Sequence, residues 1–194
     1  MIIDNVKNID ELDAVLQFVF AVFPQLENGE HKYSRDFWVE RMNELPQLLL
    51  YAKDGNTICG SVFGWVENNN VTVAHCCVHA NYRGKGIGRA LMLELEKRVK
   101  ELKYCGIALG SVENAEGFYE KLGYKGSLLI QSDKHSIEEL KAFNKKYEVI
   151  YTSVYDGKIN QVCLRLPCAD REFQREYEKA FPGCWTQMVF GKSF

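Results

Sequence analysis

Apolar and polar positions follow two rhythms along this chain. Ile9, Leu12, Val15, Leu16, Val19 and Phe23 recur at steps of three and four, which predicts a helix over 11–22, capped by Asp10 and closed before Pro24. A second helix is predicted over 34–44, opening at Ser34 and stopping before Pro46. The rhythm then changes. Ile2 and Ile3 open a first strand, and 48–53, 57–66 and 71–78 read as three more. The turns between those three fall at Asp54-Gly55-Asn56 and Asn68-Asn69-Asn70. Helical spacing returns over 86–103, with Ile87, Leu91, Leu95, Val99 and Leu102 on one stripe. A short apolar strand covers 106–110. A short helix covers 114–122 and is closed by Gly123.

After Gly126 the pattern restarts. Residues 127–131 read as a strand, and Ser136 with Glu139 forms a capping box for a helix running to Lys146. Residues 147–155 and 159–166 form a hairpin around Asp156-Gly157. Asp170 caps a further helix with Phe173, Tyr177 and Phe181 inward, and 184–190 is a last strand. The order β-α-β-β-α-β is that of the ferredoxin-like arrangement. A competing reading lends some of these strands to the first sheet. The expected division is therefore 1–126 and 127–194, in an α/β (α+β layered) protein with a mixed, mostly antiparallel sheet. No linker rich in Pro, Gly or Ser separates the two parts.

Composition narrows the classes. The 194 residues carry a net charge of -2, so the basic face that nucleic acid requires is not expected. No apolar run is long enough to span a bilayer, and the acidic residues ahead of Leu12 argue against a secretion signal. The seven cysteines are odd in number and form no C-x-x-C. They predict free thiols in a reducing compartment, the cytoplasm.

The informative stretch is Val71 to Ala90, VTVAHCCVHANYRGKGIGRA. A strand runs into Arg83-Gly84-Lys85-Gly86-Ile87-Gly88 and then directly into a long helix. Glycines at 84, 86 and 88 let the backbone turn tightly and gather N–H groups at a helix N-terminus, where the macrodipole favours an anion. A phosphate or diphosphate is the natural ligand, with Arg83, Lys85 and Arg89 adding positive charge. The loop matches neither a P-loop nor the dinucleotide fingerprint.

This R-x-x-G-x-G junction resembles the pyrophosphate-binding motif of the GNAT (GCN5-related) N-acetyltransferase superfamily. Asn114 to Tyr124, NAEGFYEKLGY, resembles that superfamily's second signature, F-Y-x-K-x-G-[FY]. The two stand in the family's order, and the resemblance covers about residues 1–130. It implies the acyl-CoA N-acyltransferase fold, acetyl-CoA as cosubstrate without a metal, and transfer of the acetyl group to a primary amine by direct attack in a ternary complex. Arg83, Gly84, Lys85, Gly86, Ile87, Gly88 and Arg89 would hold the diphosphate. The backbone of Cys77 and Val78 would hold the pantetheine arm or the thioester carbonyl, with Asn114 and Tyr119 on the coenzyme as well. The family often has an asparagine where this chain has Val112, with Asn114 two residues later.

The resemblance makes Tyr119 the general acid for the leaving thiolate. His75, with a suitable ordinary pKa on the key strand, is the candidate base, beside its reading as a satisfied structural histidine. Glu113, Glu67 and a water chain are further candidates. His75, Cys76, Cys77 and His79 invite a zinc reading, but neighbours on a strand point to opposite faces, so no metal is expected. A Cys77 nucleophile would need exposure and a base. Tyr33, Phe37, Trp38 and Trp65 could line the acceptor pocket or simply be core. Glu27, Glu30, Asp36 and Glu40 could meet a cationic acceptor or form a solvated face. A non-catalytic acyl-CoA sensor is the alternative to an enzyme. The C-terminal extension could wall off the acceptor site, which could be a peptide or a small-molecule amine, or form a homodimer.

Overall fold

The computed structural model describes residues 1–27 and 34–194. Internal contacts divide the chain into two units, Met1–Ile107 with Ser193–Phe194, and Ala108–Lys192.

The first unit holds β1 (Ile2–Asn5), α1 (Ile9–Val22), α2 (Arg35–Glu44), β2 (Leu49–Asp54), β3 (Thr57–Glu67), β4 (Asn70–Val78) and α3 (Ile87–Glu101). Its strands are neighbours in chain order and all antiparallel. Helix α1 starts two residues earlier than the sequence predicts. Its cap is Asn8, not Asp10, because the Asn8 side chain accepts from the Glu11 N–H and the Glu11 carboxylate accepts from the Lys7 N–H at 2.9 Å. Leu12, Val15, Leu16 and Val19 are its buried stripe. The Ser34 cap of α2 is as predicted, its side chain accepting from the Phe37 N–H.

Strands β3 and β4 are buried on both faces. Phe63 pairs with His75 but Gly64 pairs with Val73, so β4 carries one extra residue, Ala74, at a bulge. The bulge shifts the alternation by one. Ser61 and Phe63 lie opposite Cys77 and His75, and the Phe63 ring packs on Trp38 of α2, centroids 5.1 Å apart. Cys77 and His75 therefore face the α2 side. Gly60 and Val62 lie opposite Val78 and Cys76, and a Cβ on Gly60 would stand 3.0 Å from Ile87 and from Leu91 of α3. Glycine at 60 thus lets the head of α3 lie close against the sheet.

Strand β5 (Gly106–Gly110) carries the chain from the first unit into the second. There a single 3-10 turn, Glu113–Ala115, precedes α4 (Glu116–Lys121), followed by β6 (Lys125–Ser132), α5 (Ile137–Phe143), β7 (Glu148–Tyr155), β8 (Ile159–Arg165), α6 (Arg171–Ala180) and β9 (Trp185–Ser193). The strands run in the order β9-β6-β8-β7, each antiparallel to its neighbour. Strand β8 thus lies between the two strands that α5 connects, the split arrangement expected of a ferredoxin-like unit. The capping box at Ser136 and Glu139 is present, and Asp170 caps α6. Helix α5 ends at Phe143 rather than Lys146, because Asn144 Oδ1 accepts from the N–H groups of Lys146 and Tyr147 and turns the chain. Tyr177 packs on Phe143, Phe173 and Phe181 and donates its hydroxyl to the Leu140 carbonyl at 2.8 Å.

The contact division at 107/108 falls earlier than 126/127. Helix α4 packs with the later strands: the Tyr119 ring lies 5.8 Å from Phe190 of β9, and Lys192 donates to the Leu122 carbonyl at 2.8 Å.

Candidate active site

In the first unit the chain leaves β4 at Val78, makes a 3-10 turn over Ala80–Tyr82, and reaches α3 through Arg83–Gly86. Gly84 has φ 77° and Gly86 has φ 79°, a region that residues with a Cβ enter only with strain. Gly86 is the N-cap of α3 and no side chain caps that end. The first-turn N–H groups, including those of Ile87 and Gly88, have no intrahelical acceptor by the geometry of any helix. A Cβ at Gly84 or Gly86 would meet nothing within 4 Å, so the space over the turn is open. Arg83, Lys85 and Arg89 are exposed around it. Lys85 lies over the Tyr82 ring at 4.9 Å, and Arg83 Nε donates to the Val78 carbonyl at 3.3 Å. Uncapped donors, a helix dipole, an open cradle and a cationic rim together fit a diphosphate.

The two β4 residues assigned to the arm of the ligand differ. The His79 N–H donates to the Cys59 carbonyl at 3.0 Å, so in an antiparallel ladder the next hydrogen-bonded pair is Cys77 with Ser61. Of the two, only Val78 directs its main-chain groups away from β3. The thiols of Cys76 and Cys77 are pushed up to about 12 by burial, which keeps both protonated at neutral pH and removes the nucleophile that an acyl-cysteine would require.

His75 is 6% exposed. Ser61 Oγ donates to the Leu50 carbonyl at 3.1 Å and lies 3.0 Å from His75 Nε2. With the hydroxyl proton so committed, Nε2 is the nitrogen that carries hydrogen, and Nδ1 is the bare one. Among the described residues, buried Nδ1 has no hydrogen-bond partner, and neither does the Trp38 indole N–H. Burial lowers the imidazole to about 3. Ser61, fully buried in a strand of otherwise apolar character, is the partner that sequence reasoning missed; a serine inside CGSVFGW was its only signal.

Phe37, Trp38 and Trp65 form one edge-to-face cluster, with centroids 5.0 Å apart for Phe37–Trp38 and 6.0 Å for Phe37–Trp65. Trp38 is fully buried and Phe37 nearly so, so these two are core. Trp65 borders a cavity of about 200 Å³ with Arg41, Glu44, Leu45, Leu48, Gly64 and Val66. Glu27, Asp36 and Glu40 are exposed, whereas Glu30 and Tyr33 lie outside the described residues. Glu67 accepts from Thr72 Oγ1 at 3.2 Å.

In the second unit Tyr119 is 7% exposed. Its ring contacts Phe118, Tyr124 and Phe190, and its carbonyl accepts from the N–H groups of Leu122 and Tyr124, which closes the helix at Gly123. Asn114 is exposed in the preceding turn, as is Val112. Glu113 pairs with Arg171 at 3.7 Å. Among the described residues no three His, Cys, Asp or Glu side chains group as a metal site would require, and no helix is long and apolar enough to cross a membrane.

Comparison with known proteins gives the family. A family model described as an acetyltransferase (GNAT) domain matches residues 44–126, a span that holds both β4 and the loop and the Tyr119 helix. An acetyltransferase of Yersinia pestis (strain Pestoides F) is 33% identical over 100 residues, covering 50% of this chain and 71% of the relative. The structure of aminoglycoside 6'-acetyltransferase type Ii shares the fold with a TM-score of 0.57 at 18% identity, over 100% of this chain and 97% of that one. An N-acetyltransferase of Thermoplasma acidophilum solved in complex with coenzyme A does so with a TM-score of 0.50 at 18% identity, over 86% of this chain and 100% of that one. The chain belongs to the GNAT acetyltransferase family, and it is an acyltransferase that draws on acetyl-CoA.

Proposed function

We propose that the protein is an N-acetyltransferase that moves the acetyl group of acetyl-CoA to a primary amine by direct attack in a ternary complex. The observation that carries this reading is the head of α3, where Gly84 and Gly86 at positive φ leave uncapped N–H groups under an open, cation-rimmed space. In this reading the N–H groups of residues 86–88 hold the diphosphate, with Arg83, Lys85 and Arg89 around it, and Asn114 makes a polar contact to the coenzyme. The Val78 main chain holds the pantetheine arm or the thioester carbonyl, where an N–H favours the oxyanion that forms on attack.

Tyr119 donates its hydroxyl proton to the departing thiolate. That thiolate is a fair leaving group already, so the hydroxyl assists rather than enables. Tyr119→Phe is expected to lower kcat about tenfold, less than the roughly hundredfold at the low end of general acid catalysis because the leaving thiolate needs only assistance, while the acetyl-CoA dissociation constant stays within about twofold. Steady-state kinetics beside calorimetry checks both, and unchanged turnover removes Tyr119 from the chemistry. We do not assign the acceptor's proton to His75. A group that stays neutral down to about 3 is too weak a base for an ammonium near pH 7, and we read it as structural. The seven unpaired thiols support a reducing compartment, the cytoplasm.

The reading is tested by titrating the folded protein with coenzyme A in a calorimeter. Thiol release from acetyl-CoA is then followed with an alanine-terminated peptide, a lysine peptide, spermidine and an aminoglycoside. Binding with release on at least one amine is expected. No binding of coenzyme A sinks the proposal, and the releasing amine names the acceptor class.

A further inference from the structure

Helix α4 is six residues long and has no side-chain cap, since Ala115 stands at its N-cap. A helix this short does not hold its own position. Its tail is fixed by the Tyr119 ring on Phe190 and by Lys192 on the Leu122 carbonyl. Its head is Glu116, a carboxylate only 6% exposed, whose counter-charge is the guanidinium of Arg171, the first residue of α6. The same guanidinium lies 3.7 Å from Glu113 in the turn before α4. It also donates to Gln174 Oε1 at 2.8 Å, and the Gln174 amide reaches Thr186 Oγ1 of β9 at 3.3 Å.

Arg171 is itself held. The cap residue beside it, Asp170, accepts from Lys146 Nζ at 2.6 Å, from the Tyr147 hydroxyl at 2.7 Å and from the Phe173 N–H at 3.1 Å. A chain of fixed groups thus runs from the start of β7, through Asp170 and Arg171, to the head of the helix that carries Tyr119 one turn later.

We propose that Arg171 is a positioning residue of the transferase: by pairing with Glu116 and Glu113 it sets the placement of α4 and hence of the Tyr119 hydroxyl. The proposal rests on the role given to Tyr119 above. It also gives a task to the segment beyond residue 130, which the two family signatures leave unexplained. A planar guanidinium meets two carboxylates and an amide at once, whereas an ammonium is a point charge. Lysine at 171 therefore keeps the pairing with Glu116 and gives up the rest.

The test compares Arg171→Gln, Arg171→Lys and Tyr119→Phe on the whole chain, with acetyl-CoA and the amine that releases thiol. Arg171→Gln is expected to lower kcat about fivefold through misplacement of one group, with the KM and dissociation constant for acetyl-CoA within about twofold. Arg171→Lys is expected to recover most of that loss. Because Arg171 acts through Tyr119, Arg171→Gln combined with Tyr119→Phe is expected to fall no more than about twofold below Tyr119→Phe alone. Arg165→Gln, which removes an exposed pair with Glu148, is expected to leave kcat unchanged. If Arg171→Gln does not yield folded protein, Glu116→Gln probes the same clamp without stranding a buried charge and is expected to show the same split.

Wild-type kcat in the Gln variant overturns the assignment, and so does a double variant whose losses multiply. A loss of kcat that follows the thermal midpoint, with lysine giving no rescue, overturns it as well. A wild-type protein that releases no thiol with any amine overturns the transferase reading itself and is seen before any variant is made.

Discussion

Gly86→Val is expected to weaken acetyl-CoA binding about a hundredfold while leaving a folded protein. Gly86 caps α3 at φ 79°, where a β-branched residue carries roughly 1–3 kcal/mol of strain. If the backbone keeps its path, that strain must be borne in the bound state. If it relaxes to negative φ, the N–H groups of residues 86–88 no longer converge and the donors are lost instead. A new Cβ meets no atom of the described residues within 4 Å, so the effect belongs to backbone conformation and to the ligand space, not to a clash in the core. A hundredfold loss is about 2.7 kcal/mol, which the strain and one lost donor together supply. Asparagine tolerates the left-handed region, so Gly86→Asn is expected to lose only about tenfold. Gly55→Val provides the control. Gly55 has φ 59° with nothing within 4 Å of its Cβ site, but it sits in the β2–β3 turn. Its substitution is expected to lower the melting temperature and leave the calorimetric dissociation constant unchanged. Wild-type affinity in Gly86→Val would show that the diphosphate is held elsewhere.

That loop was legible because its requirement is local. Glycine takes positive φ without strain, Gly84 and Gly86 do so two residues apart, and a helix follows at once, so six consecutive letters state the device. The capping box at Ser136 and Glu139 and the cap at Asp170 were legible for the same reason. The order of the last six elements was readable too, since period-two and period-3.6 runs alternate cleanly between turn residues.

What stayed hidden depends on partners far away in sequence. Nothing in VTVAHCC marks Ala74 as the extra residue of a bulge, because the bulge is a mismatch between β3 and β4. Yet it decides that His75 and Cys77 face α2 while Val71 and Val73 do not. Glu116 reads as one more helical charge until Arg171, 55 residues later, is found against it. Helix α1 starts two residues ahead of the sequence expectation because Asn8 and Asp10 are both good cap residues, and it is the Asn8 side chain that accepts from an N–H three residues on, that of Glu11. Nor does the sequence of α4 show that its packing partners, Phe190 and Lys192, lie in a strand more than sixty residues later.

His75 makes the protein acid-sensitive in a window set by two values. In the unfolded chain its imidazole titrates at 6.5, and in the fold burial holds it at about 3. Above 6.5 both states are neutral and the residue adds no pH dependence. Between 6.5 and 3 the unfolded state binds a proton that the native state refuses, so stability falls as pH falls, by about 1.4 kcal/mol per unit. Across the window the loss approaches roughly 5 kcal/mol, a large part of the 5–15 kcal/mol typical of a folded chain. Protonation would place a charge beside Phe63, 4.9 Å between ring centroids, where among the described residues no charged partner offsets its burial. His75→Gln keeps an N–H for Ser61 Oγ and removes the titration. It is expected to cost about 1 kcal/mol at pH 7.5 and to be the more stable protein at pH 4.5. Urea unfolding of both proteins at half-unit steps from pH 7.5 to 4.5 measures this directly, since every other titrating group cancels in the difference. Parallel curves would mean that His75 takes up its proton in the native state, and would return it to the set of candidate bases.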